Sequence, residues 1–141
     1  MSKTNVRPEV SKKKDYYIPK NRYYELKHFC LQYPEWEREY AALDSLSKAP
    51  VEQEKTGKTN NISNPVENCA ERMEYYMSRM RLIEDAAKIA VGGDLWRIVV
   101  VAVTRERPYE WLAQHYTLPV GRDGWYALYR CFFWHLDRTR K

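Results

Sequence analysis

The segment from Asn64 to Gly93 constrains this chain more than any other. Asn64 carries a capping side chain, Pro65 suits a first helical position and Glu67 stands third, together a helix-start signature. Val66, Cys69, Met73, Met77, Met80, Leu82 or Ile83, Ala87 and Ala90 then recur at steps of three and four, one face of a helix. Gly92-Gly93 supplies the stop. A long amphipathic helix must bury its apolar stripe against other elements, so the remaining segments are read for partners.

They are helical too. Tyr23, Leu26, Cys30 and Tyr33 lie on one face of a helix starting near Pro19, and Pro34 separates it from a second helix over Glu35 to Leu46. Trp36, Tyr40, Leu43 and Leu46 form the apolar face of that second helix, and the two make a bent pair. Leu95 to Thr104, opened by Asp94, contains Ile98-Val99-Val100-Val101, which strand propensity favours. The chain offers no partner strand, and an isolated strand leaves its backbone unsatisfied; Leu95, Ile98, Val99, Ala102 and Val103 also fit a helix stripe, so a buried helix is expected. After the polar break Arg105-Glu106-Arg107, Pro108 opens a short helix to about Tyr116. A turn spans 117–121, and a final helix spans Arg122 to about Arg138, with Trp125, Tyr129, Phe132, Phe133 and Leu136 on its apolar face. The expected fold is an all-α small helical bundle. It divides into a flexible basic arm at 1–15, an N-terminal helical pair at 16–46, a polar linker at 47–63 and a helical domain at 64–141.

The chain has 141 residues, 44% hydrophobic and 30% charged, enough apolar material to close a core and exclude wholesale disorder. Its longest apolar run, Ile98 to Val103, is far short of the roughly 20 residues of a membrane helix. The N-terminus is polar and basic, so no signal peptide and a cytoplasmic location are expected. Cys30, Cys69 and Cys131 are widely spaced, which reads as reduced thiols. His28 and Cys30 would point about 200° apart on a helix, and His115 and His135 are no closer to a ligand set, so neither a metal nor any cofactor is expected. No nucleophile motif or glycine-rich phosphate loop occurs, and an enzyme is not expected.

Charge is more informative. The net charge is +5, unevenly spread. Residues 1–28 hold eight Lys/Arg against three acids, 29–94 eight against twelve, and 95–141 eight against four. Basic ends around an acidic middle point to a polyanion partner. The short helix, turn and final arginine-bearing helix, within 105–138, have the order of a helix-turn-helix. Small Ala127 would let the last helix approach a groove floor, and Arg122 and Arg130 would meet base edges or phosphates, with Arg138 on the same helix. Arg105 and Arg107 would grip the backbone beside them, and Lys12, Lys13 and Lys14 would add nonspecific attraction. Trp134 lies off the apolar stripe and, with the pairs Tyr16-Tyr17 and Tyr23-Tyr24, is a candidate partner contact.

The stretch YIPKNRYYELKHFCLQY from Tyr17 to Tyr33 resembles the opening of small proteins encoded in phages and prophages of Gram-positive bacteria. Leu118-Pro119, Arg122-Asp123, Trp125-Tyr126, Tyr129-Arg130 and Phe132-Phe133 are similar to the sigma-like helix-turn-helix of phage late-gene transcriptional regulators of the RinA and ArpU type. The resemblance covers roughly 17–46 and 65–138. Gly121, Gly124 and Cys131 stand where that pattern has a capping hydroxyl, a helix former and often a basic residue. It implies a transcriptional regulator reading duplex DNA through helix 122–138 in the host bacterial cytoplasm; a small terminase-type packaging protein would use the same scaffold. A different class of function is an inhibitor of a host protein, such as RNA polymerase or a CRISPR nuclease (an anti-CRISPR protein). There Glu67, Glu71, Glu74, Glu84 and Asp85 would mimic phosphates. A homodimer would pair along the Val66-to-Ala90 helix.

Overall fold

The computed structural model describes residues 16–48 and 65–140. Six helices and no strand occur among the described residues: α1 (Lys20–Leu31), α2 (Tyr33–Lys48), α3 (Pro65–Ala90), α4 (Leu95–Thr104), α5 (Tyr109–His115) and α6 (Arg122–Thr139). The chain is all-α. The β-branched run of α4 is a helix because it is buried among helices on most of its circumference. Val99, Val100, Ala102 and Val103 are buried, and Leu95, Ile98 and Val101 pack partly against the same core. Tertiary burial here overrides strand propensity. The one buried polar side chain of α4, Thr104, is satisfied by donating to the Val100 carbonyl at 2.6 Å.

α3 is the hub, packing on α2, α4 and α6, while α1 packs on α2, α4 and α6. The methionine face expected to meet a second copy is partly used within the chain: Met80 packs on the core. α1 and α2 join through Gln32, whose helical backbone leaves a bend rather than a loop. α2 starts two residues before Glu35, with Pro34 in its first turn where a missing N–H costs nothing. It also runs past Leu46 into the expected linker, as far as Lys48. Leu46 stands exposed at that end, not on a buried face.

Two corners use left-handed backbone. Gly93, at φ 61°, links α3 to α4. Asp94 precedes α4 but makes no side-chain cap hydrogen bond. At the end of α4, Glu106 takes φ 53° although it is not glycine. The Arg107 amide donates back to the Ala102 carbonyl at 3.1 Å, closing the helix end as a Schellman turn. The Glu106 carboxylate pairs with Lys27 of α1 at 3.3 Å, so the residue ties α4 to α1 as well.

The core is an aromatic cluster. Phe133 meets Tyr23 at 5.2 Å, Tyr129 at 5.1 Å and Phe132 at 4.9 Å between ring centroids. Tyr23, expected both on the apolar stripe of the first helix and, with Tyr24, as a candidate partner contact, is a core residue: it lies on the α1 stripe that faces α6. Arg22 fastens the end of α6 to α1, donating to Asp137 at 2.6 Å and to the Arg140 carbonyl.

Burial pushes up the Cys30 thiol and the Tyr33 and Tyr129 phenols; the Tyr33 hydroxyl also donates to Glu84 at 2.5 Å. Each group keeps its proton in the folded chain at a pH where the unfolded chain has lost it. Stability is therefore full below the ordinary thiol and phenol values of 9.0 and 10.0 and falls as pH rises past them. The expected slope reaches about 1.4 kcal/mol per pH unit for each group. Urea midpoints at about pH 8 and about pH 10.5 read this directly; equal midpoints would refute it.

Candidate nucleic-acid interface

The hairpin of α5, turn and α6 is held by side chains from both helices. The Tyr109 amide donates to the Tyr126 hydroxyl at 3.3 Å, and the Tyr109 hydroxyl donates to the Val120 carbonyl at 3.2 Å. Arg122, in the first turn of α6, pairs with Glu110 in the first turn of α5. Leu112 is the buried residue of α5 and anchors it to the core. Gly124 permits the tight turn: a Cβ there would lie 3.2 Å from the Val120 Cβ. Gly121 precedes α6 without a side-chain cap.

α6 has two faces. Trp125, Tyr126, Phe132, Phe133 and Leu136 are buried; Tyr126 was missing from the expected stripe and enters it as the acceptor for Tyr109. Asp123, Ala127, Arg130, Trp134 and Arg138 follow one another at steps of four, three, four and four along the opposite side. Ala127 is exposed and Arg130 half-buried. Arg138 is exposed, its guanidinium 4.5 Å from the centre of the Trp134 ring. Neither arginine has a carboxylate partner among the described residues. Trp134 also meets Tyr16 in a T-shaped contact at 5.4 Å, so this tryptophan is covered in part by the chain itself. Burial and the charge of Arg138 lower the pKa of His135, leaving it neutral near pH 7.

The other expected contacts are not gathered beside this stripe. Arg105 pairs with Glu37 of α2 at 3.3 Å, because the turn after α4 carries it toward α2. Arg107 lies over Trp111 of α5 at 4.4 Å, and Trp111 stacks on His115 at 3.8 Å. This arginine–aromatic–imidazole stack was not among the expected contacts, although the four-residue step from Trp111 to His115 is its signal. Arg122 faces Glu110 instead of open solvent alone; such an exposed pair is worth little and can be exchanged for a phosphate. Lys12, Lys13 and Lys14 lie outside the described residues.

The acidic helix face is mixed. Over 68–90, Glu71, Glu74, Glu84 and Asp85 alternate with Arg72, Arg79, Arg81 and Lys88, and Glu84 is engaged by Tyr33. Glu67 lies outside the described side chains. Among the described residues no group of three or more His, Cys, Asp or Glu side chains is arranged to hold a metal ion, and no helix is long and apolar enough to cross a membrane. Comparison with family models, curated proteins and solved structures gives no match to this chain.

Proposed function

We propose that this chain binds duplex DNA through the outward face of α6 and acts as a transcriptional regulator of the phage type. The observation that carries the reading is the stripe Ala127, Arg130, Trp134 and Arg138. It is anchored from behind by buried aromatics, carries two arginines without carboxylate partners among the described residues, and has a small residue near its N-terminal end. A rigid helix with a methyl-sized surface at one point and guanidinium groups beyond it suits approach to a major groove, with forks directed at guanine edges or phosphates. The short α5, fixed across the turn by Tyr109 and Glu110, supplies the supporting helix of such a motif. Regulation and genome packaging share this contact and differ in the DNA they select. An inhibitor of a host protein built on phosphate mimicry draws less support, because basic residues interleave with the acids of α3.

Anisotropy titration of labelled random duplex at about 50 and about 200 mM salt tests the reading. Affinity is expected to fall steeply across that range. An Arg130→Ala/Arg138→Ala variant removes two phosphate-competent charges, which lowers the salt slope by about 2 and weakens binding about tenfold or more at low salt. Unchanged binding by the variant, or no binding by the natural chain at low salt, would overturn it.

A further inference from the structure

A cavity of about 360 Å³ opens between α1, α3 and the C-terminal end of α6, lined by Phe29, Ser78, Arg79, Leu82 and Arg140. It lies apart from the proposed DNA face. Arg138 points outward over Trp134, whereas Arg140 turns to α1, its guanidinium 4.3 Å from the centre of the Phe29 ring. It is a cleft open to solvent, its volume at the low end of the roughly 300–1,000 Å³ usual for small-molecule sites.

Half-buried Leu82 supplies apolar lining, while buried Phe29 lies beneath the Arg140 guanidinium. Two arginines bring charge. Arg79 lies 3.7 Å over the exposed ring of Tyr75, with one Nη donating weakly to the Tyr75 carbonyl at 3.5 Å. The Ser78 hydroxyl donates to that same carbonyl at 3.0 Å. Neither Arg79 nor Arg140 has a carboxylate partner among the described residues. Arg140 is also held in place through its backbone: its amide donates to the Leu136 carbonyl at 2.8 Å, and its carbonyl accepts from Arg22, itself fixed by Asp137. Its positive charge reaches far enough inward to act on the buried Cys30 thiol.

These features select a ligand with two parts. An inorganic anion would satisfy the guanidinium groups and leave Leu82 unused. A neutral ring would do the reverse. Paired guanidinium forks match a phosphate best, and each charge-assisted hydrogen bond gains strength beside an apolar wall. We propose that this cavity binds an organic phosphate, its apolar or ring portion on Leu82 and its phosphate between Arg79 and Arg140, the guanidinium that covers Phe29. That chemistry is shared by a free aryl or nucleoside phosphate and by the 5′-phosphate end of a nucleic-acid strand.

The test is titration of the full chain with phenyl phosphate, followed by amide chemical shifts and calorimetry. Saturable binding is expected, with shifts at Phe29, Ser78 and Leu82, and inorganic phosphate should bind more weakly. Arg79→Gln and Arg140→Gln should each weaken phenyl phosphate about tenfold or more, the loss of one charge-assisted contact. Both variants should retain the natural helical circular dichroism and thermal midpoint. The Arg130→Ala/Arg138→Ala variant should bind phenyl phosphate unchanged, which separates this site from the DNA reading. Competition by a 5′-phosphorylated strand, but not by its 5′-hydroxyl counterpart, identifies a strand end as the source; no difference between the strands identifies a small molecule. No saturation up to about 10 mM, equal affinity for inorganic phosphate, or full binding by both glutamine variants would overturn the proposal.

Discussion

Phe133→Ala is expected to lower the stability of this chain by about 3–5 kcal/mol, the usual cost of removing a fully buried phenylalanine ring. Phe133 has no exposed surface and lies where α6 meets α1, its ring against Tyr23, Tyr129 and Phe132. The transfer of the ring to water is one part of the loss. The other is the cavity left behind, since three aromatic neighbours held by their own helices have little freedom to close it. A domain of this size has a net stability of roughly 5–15 kcal/mol, so one substitution would consume a large share of it. Urea denaturation checks this: the midpoint should fall while the slope with denaturant stays constant. A loss below about 1 kcal/mol would mean that α1 and α6 close over the gap, contrary to the packing described.

Leu112→Ala is expected to cost about 2–5 kcal/mol by the same reasoning, but the loss should appear first in one place. α5 has seven residues, too few for a helix to persist without tertiary contacts. Leu112 is its one buried residue; half-buried Tyr109 and Trp111 pack on the core beside it, and hydrogen bonds of Tyr109 and the exposed pair of Glu110 with Arg122 add further ties. Truncation should let α5 open while α1, α3, α4 and α6 stay packed. Hydrogen exchange reads this: the Tyr116 amide, bonded to the Leu112 carbonyl at 2.8 Å, should exchange about 30-fold faster or more, while amides of α6 change much less. Equal acceleration throughout would show that α5 opens only with the whole domain. If α6 reads DNA, the same variant should also weaken binding, because α5 fixes the first turn of α6.

Local signals located most of the fold. The start at Pro65 and the stop at Gly93 bound α3 because proline and glycine act through backbone restrictions that no tertiary contact alters. The three-and-four spacing picked out Leu26, Cys30, Ile83, Trp125, Phe132, Phe133 and Leu136, all buried, because an amphipathic helix has one way to hide its apolar side. The α4 segment was readable as helix only by asking where a strand would find a partner. Other features were marked less plainly. Tyr23 lies on the apolar stripe of α1 and also in a tyrosine pair that could meet a partner, and only the packing of α6 decides that it is core; Trp134, off the stripe of α6, lies outside and half-covered by Tyr16. Amphipathic rings suit either place, so their location waits on the neighbouring helix.

The arginines show the same division. Their abundance toward the C-terminus is a property of the sequence, and it carried the expectation of a polyanion partner. Whether a given guanidinium is free or engaged depends on contacts made across the fold. Arg105 meets Glu37 from 68 positions away, Arg22 meets Asp137 from 115 positions away, and Arg140 reaches Phe29 on α1. By itself the sequence determined the helices, their apolar faces and the charge of each segment, all consequences of backbone restriction and short-range periodicity. Only the tertiary structure decided which charges lack a carboxylate partner among the described residues and that two of them border one cavity, because those facts arise from pairings between helices distant in the chain.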